Sequence, residues 1–342
     1  MKFFIVISLI ITFNIQNAQA QGCSDAGFCT MGAMRPNQAY SKKLNLTLRS
    51  IEVSQYFGMT SFYLKILAYN IDANIGISNR LTAQVKLPYQ FVFGQLANTN
   101  GVGDISLSAT YNLVAKENFQ VNVSLGTKIP TNNSNLKAQV ADTLGVVKDR
   151  PLPMYYQTSL GSYDIIAGIS ILTKDWLFAA GYQQALTQNG NEFLWKPWNG
   201  TSLEEDAGKY PKSKNLLRGT DVMLRIEKNF RFSNWNAYIG LLNIFRITKD
   251  EFTDVNGSRT TVRTENYVLG NNIGTGNLAI SLLAGAGYRF DTKSAIKIMV
   301  GYRLVDRTSY ENKGKNSNFE MHRNADGLSR LLVTTIGYEY RF

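Results

Sequence analysis

The stretch Asp104-Ile105-Ser106-Leu107-Ser108-Ala109-Thr110-Tyr111-Asn112-Leu113 decides the fold. Its odd positions are apolar and its even positions polar, the period of two by which a strand sends successive side chains to opposite faces. The run exceeds the roughly 5 to 6 residues of an ordinary soluble strand. It matches the about 9 to 11 residues that a tilted strand needs to cross a bilayer. A strand with lipid on one face and water on the other reads this way.

The alternation recurs along the chain. In 119–129, Phe119, Val121, Val123 and Leu125 oppose Gln120, Asn122, Ser124 and Lys128, and in 81–89, Leu81, Ala83, Val85 and Leu87 oppose Thr82, Gln84 and Lys86. Runs of this kind lie at 44–51, 67–77, 81–89, 104–113, 119–129, 164–172, 176–186, 220–230, 235–245, 278–290, 295–305 and 331–342. The expected fold is therefore all-β: a transmembrane antiparallel up-and-down barrel of about 12 strands, an even number that leaves both ends on one side. Ten or fourteen strands are the alternatives, since 50–69 and 152–163 have room for more.

The connections sort by length. Short turns at 78–80, 114–118, 173–175, 231–234 and 291–294 alternate with long polar loops at 90–103, 130–163, 187–219, 246–277 and 306–330. That predicts short periplasmic turns and longer extracellular loops. Phe119, Trp176, Trp235, Phe290 and Phe342 all fall at the short-turn edge, where aromatic rings favour the membrane interface. The last strand carries Ile336, Tyr338, Tyr340 and a terminal Phe342 in one phase. This resembles the terminal signal of outer-membrane barrels, so the expected partners are outer-membrane lipids and, through the last strand, the barrel insertion machinery.

The N-terminus reads as an address. Lys2, the apolar run 3–13 and Ala18-Gln19-Ala20 have the form of a signal peptide over 1–20, giving an outer-membrane protein of a Gram-negative cell after cleavage near Ala20. Residues 21–43 form a periplasmic N-terminal segment that could plug the barrel formed by 44–342. In an oxidising compartment Cys23 and Cys29 are expected to pair; lipidation of Cys23 is the alternative. The formal charge of +11 is dispersed along the chain, which argues against a nucleic-acid partner.

A resemblance becomes visible at this point. Gly101-Val102-Gly103-Asp104-Ile105-Ser106-Leu107 and Ser124-Leu125-Gly126-Thr127-Lys128-Ile129-Pro130-Thr131 look like barrel segments of the outer-membrane proteins of phenol-degradation (meta-) pathways, distant relatives of the long-chain fatty-acid transporters. Asn132 stands where that family usually has Gly. The resemblance covers 81–131 and implies uptake of a small apolar compound.

Chemistry is sparse. His322 is the single histidine and has no serine or cysteine partner at a motif spacing, so no catalytic residue, cofactor or metal is assigned and the chain is read as no enzyme. Glu204, Glu205 and Asp206 are read as a solvated loop segment, and the Gly-rich 270–276 lacks the strand-to-helix setting of a phosphate loop.

The lumen is more informative. Taking the polar phase as inward places Lys86, Asp104, Lys128, Arg225, Glu227, Arg289, Lys297, Arg303 and Glu339 inside as candidates for solute transport, with Asp72, Asp164, Asp221 and Arg341. Their nearly balanced signs fit either a charge-lined pore of mild anion preference or a bracing ion-pair network. The same phase carries an apolar patch of Leu177, Met223, Leu242, Leu283 and Met299, with Ala179, Ala279, Leu331 and Val333. It needs a cover: the N-terminal segment or a passing apolar solute. The function expected is a channel or passive transporter for small solutes, apolar ones included. The alternative is a structural or adhesive barrel that only presents its loops.

Overall fold

A computed structural model describes residues 47–60, 64–261, 263–267, 278–310, 322–323 and 332–342. Residues 1–20, read above as a signal peptide, the 21–43 segment with Cys23 and Cys29, residues 270–276 and Leu331 lie outside the described residues.

Twelve antiparallel strands form the wall: β1 (Thr47–Met59), β2 (Lys65–Gly76), β3 (Leu81–Phe93), β4 (Ile105–Lys116), β5 (Phe119–Ile129), β6 (Asp164–Thr173), β7 (Trp176–Ala185), β8 (Asp221–Phe232), β9 (Trp235–Arg246), β10 (Leu278–Arg289), β11 (Ser294–Tyr310) and β12 (Leu332–Arg341). Each pairs with its neighbours in sequence, and β1 pairs with β12 from Ser50↔Arg341 to Met59↔Leu332, which closes the sheet. Closure matters because lipid offers no hydrogen bonds, so each backbone N–H and C=O in the hydrocarbon must be satisfied within the wall.

The burial pattern is the reverse of a soluble protein's. Ile226, Leu241, Val123, Ile169 and Val300 face outward and are exposed, whereas Glu227, Asp72, Lys86 and Arg225 face inward and are buried. Outward residues meet outward residues across the ladder, as in Ile226↔Leu241 and Leu241↔Leu282. An apolar exterior around a charged interior is what a bilayer selects. Phe119, Trp176, Trp235, Phe290 and Phe342 stand exposed at the turn edge, with Trp235 against Tyr288 at 4.7 Å and Tyr340 against Phe342 at 5.2 Å. Tyr69, Tyr89, Phe91 and Phe93 form a corresponding aromatic group toward the loop edge.

The short turns fall where expected, and their chemistry is local. Asp291 accepts the backbone N–H groups of Lys293 at 2.6 Å and Ser294 at 2.7 Å, and Ser78 Oγ accepts that of Leu81 at 3.0 Å. The turn expected at 114–118 is tighter, since β4 runs to Lys116 and β5 begins at Phe119.

Two expectations need correction. The first strand does not end at 51 but runs to Met59, because ladder pairing to β2 and β12 overrides a broken alternation in which polar Gln55 faces out and Tyr56 faces in. The strand count of 12 survives, and 152–163 contains no strand among the described residues, only a 3-10 turn at Met154–Tyr156.

The second correction concerns the loops at 130–163 and 187–219, which are not polar solvated excursions. They pack on each other and on the loop-side end of the lumen, burying Leu152, Tyr155, Tyr156, Phe193, Trp198 and Tyr210 with Ile66 and Val92 of the inner wall. Burial of that much aromatic surface is ample reason for the segments to fold inward. A hairpin, Lys137–Ala141 with Val147–Pro151, stands on this cap.

Candidate functional site: the luminal cavity and its cap

Inside the turn-side half of the barrel lies a cavity of about 320 Å³, lined by inward residues of β1, β2, β3 and β8 through β12 and by the turn residues Ser233 and Asn234. The wall is hollowed where inward positions carry glycine. A Cβ at Gly301 would sit 3.1 Å from Leu283 Cδ2 and 3.8 Å from Val333 Cβ, so the missing side chain lets those two flank one apolar surface. Leu242, Leu283, Met299, Val333 and Tyr238 line the cavity on that side. Behind them Ala179, Met223, Leu242, Ile244, Ala279 and Leu283 form one buried cluster.

The remaining lining is charged. Lys297 Nζ lies 3.0 Å from Glu52 and 2.8 Å from Glu339, and Arg341 grips both oxygens of Glu339 at 3.1 Å. Such bidentate pairing fixes both side chains in one plane. Arg225 Nε donates to Glu227 at 2.6 Å. Lys86 and Arg303 line the deeper part, and Arg231 and Arg289 stand exposed at the rim.

The cap closes the other end. Asp104 accepts hydrogen bonds from Ser159 Oγ at 2.5 Å and from the Leu160 N–H at 2.9 Å, and Gln90 Nε2 donates to the Thr158 carbonyl. Asn191 Nδ2 donates to Ser134 O at 2.9 Å and Leu152 O at 3.0 Å. Tyr156 and Tyr210 share a hydrogen bond of 3.1 Å. A buried ion pair, Arg218 with Asp164, binds the second loop to the wall, and Arg246 of β9 pairs with Asp221 of β8 and with Asp250 of the following loop.

Burial sets the ionisation of the cap. It pushes the Tyr156 hydroxyl up to about 12 and the Tyr210 hydroxyl above its ordinary value, so both stay protonated donors. It also raises the Asp104 carboxyl against the opposing pull of Ser159, Leu160 and Lys128. On the hairpin, the Val146 and Leu144 amides hold Asp142 below the usual carboxylate range.

The candidate residues thus separate into two places. Lys86, Arg225, Arg289, Lys297 and Arg303 come together around the cavity with Leu242, Leu283 and Met299, and Glu227 and Glu339 are bonded to cations of that group. Asp104 and Lys128 belong to the cap's underside instead. Leu177 and Met223 are fully buried in the wall. Glu204, Glu205 and Asp206 start a short helix, Glu204–Gly208, with Glu204 and Glu205 exposed, and no metal-binding group of three ligands occurs among the described residues. His322 pairs in register with Ser309.

Ending the first strand at 51 leaves Glu52, Ser54 and Tyr56 out of the lumen, while Asn70 lies on β2 in the same phase as Asp72. The period-two run of Ser50, Glu52 and Ser54 against Ile51 and Val53 was the available signal. Arg231, expected in the turn at 231–234, is the inward end of a longer β8. Arg218 pairs with Asp164 and Arg246 with Asp221, 54 and 25 residues away, and Asp250, four residues from Arg246, falls in a stretch with no strand alternation to direct it inward.

No protein-family profile matches the chain, and no curated protein matches it in sequence. Among solved structures, an outer-membrane channel from Pseudomonas putida F1 superposes with a TM-score of 0.52 at 13% identity, covering 90% of this chain and 99% of that one. The CymD monoaromatic hydrocarbon channel gives 0.44 at 10% identity, covering 94% and 98%. The NanC porin gives 0.43 at 11%, covering 85% and 100%. At these identities the Pseudomonas likeness is one of fold.

Proposed function

We propose that this protein is a passive outer-membrane channel for small solutes, apolar ones included. The observation that carries the reading is the cavity itself: a lipid-facing barrel whose lumen stays hollow and charge-lined down to the turn residues Ser233 and Asn234. A barrel serving only to anchor loops gains nothing from that space, because unfilled volume forfeits packing contacts. The cap of 152–160 covers the loop-side end, so passage requires it to move. Solutes cross when the Asp104 and Gln90 tethers release, and the turn-side cavity receives them.

Purified protein in planar bilayers tests this. Stepwise conductance is expected, and Met299→Trp, which fills the cavity from β11, should reduce it at least twofold without lowering the thermal midpoint. A folded barrel that neither conducts nor supports swelling of solute-loaded liposomes would favour loop presentation instead.

A further inference from the structure

We infer that the solute class selected by this cavity is a small organic anion, a monocarboxylate carrying an apolar body. The inference rests on the channel reading and adds the chemistry of what enters.

Charge is the first ground. Among the described residues the lining carries Lys86, Arg225, Arg231, Arg289, Lys297, Arg303 and Arg341 against one carboxylate, Glu52. Adding Glu227 and Glu339, which touch these cations from behind, still leaves positive charge in clear excess. Low-dielectric walls focus such a field along the lumen, raising the local concentration of anions and repelling cations.

Position is the second ground. Arg231 and Arg289 are exposed at the turn-side rim and line the cavity, and neither side chain makes an ion pair or hydrogen bond among the described residues. Arg231 is opposite Asn236 on β9, and Asn236 is opposite Gly287, two residues before Arg289 on β10. The two guanidinium groups therefore rise from strands separated by one other strand, on the same face of the wall. A guanidinium offers a planar fork that matches a carboxylate, which an ammonium does not.

The apolar wall is the third ground, and it narrows the class. Leu242, Leu283, Met299, Val333 and Tyr238 line the same space as these cations. An inorganic anion would pair with the cations and gain nothing from the apolar surface beside them, and a neutral hydrocarbon would leave the rim charges unused. A carboxylate on an apolar body meets both requirements. The cavity volume, about 320 Å³, is at the small end of the roughly 300 to 1,000 Å³ of ligand pockets, which suits a single ring or short chain and not an oligosaccharide.

The test uses the full-length protein in planar bilayers with sodium benzoate, sodium acetate and benzylammonium chloride as probes. Under a potassium chloride gradient the reversal potential should show chloride preferred over potassium. Benzoate should halve the chloride current at a concentration at least tenfold below that of acetate, which has the head without the body, while benzylammonium, with the body and the opposite charge, should not block. The double variant Arg231→Gln/Arg289→Gln, both at exposed positions, should weaken benzoate block at least fivefold. Met299→Thr should narrow the benzoate-to-acetate ratio. Potassium preference, equal block by benzoate and acetate, or block by benzylammonium in the unmodified protein would overturn the substrate class while leaving a channel standing. Absence of any conductance would overturn the channel reading and this inference with it.

Discussion

Asp104, at the foot of β4, receives the hydroxyl of Ser159 at 2.5 Å from a loop 55 residues further along the chain. The Leu160 amide joins it at 2.9 Å, so one buried carboxylate tethers the cap to the wall. Because burial raises its pKa above the ordinary 3.8, the capped state binds a proton more readily than a state in which Asp104 meets water. Stability of the capped state therefore rises as pH falls through the raised value toward 3.8, and is flat above it. Hydrogen exchange at 158–160, corrected for intrinsic rates, should slow across that window. Asp104→Asn should abolish the dependence, and Asp104→Ala, which orphans two donors at a cost of about 1 to 3 kcal/mol, should speed exchange at all pH values.

Arg246 holds Asp221 at 2.7 Å and also grips Asp250, and all three side chains are buried. Asp250 in turn accepts the Gly219 N–H at 2.6 Å. Arg246→Leu would leave two buried carboxylates without their shared cation, a loss of roughly 3 to 5 kcal/mol. Reversible unfolding in lipid should register it. Arg259→Leu, whose pair with Glu251 is partly exposed, should cost no more than about 1 kcal/mol.

The lipid-facing reading has its own depth test. Ile226 is exposed near the middle of β8 and Phe232 at its turn-side end. Ile226→Arg should cost about 2 to 4 kcal/mol and Phe232→Arg about 0 to 1 kcal/mol when folding is measured in bilayers. Equal costs would contradict a membrane boundary between them.

Within the cap, the Tyr156 hydroxyl accepts the Leu96 N–H at 3.1 Å and meets the Tyr210 hydroxyl at the same distance. Tyr156→Phe removes that oxygen and keeps the ring, so roughly 1 kcal/mol of cap stability should go. Single-channel recordings should show more frequent openings with unchanged unit conductance, because the ring contributes to the cap and not to the cavity. A changed unit conductance would place Tyr156 in the conduction path.

The wall was legible in the sequence because a strand's two faces see two different solvents. The alternation of Ile105, Leu107, Ala109 and Tyr111 against Ser106, Ser108 and Thr110 states which side each residue takes, and the strand count and short turns followed from it. Lys86, Arg289 and Lys297 were placed inward by the same phase. Local pattern could not say that Lys297 bridges Glu52 and Glu339, because the first partner is 245 residues away and meets it only when β1 closes on β12. Nor could it show that Tyr155, Phe193 and Trp198, scattered through apparently polar loops, share one core. Side-chain direction is a property of the strand and is written in its neighbours. Closure of the barrel and the inward folding of its loops depend on contacts between distant segments, which only the tertiary structure decides.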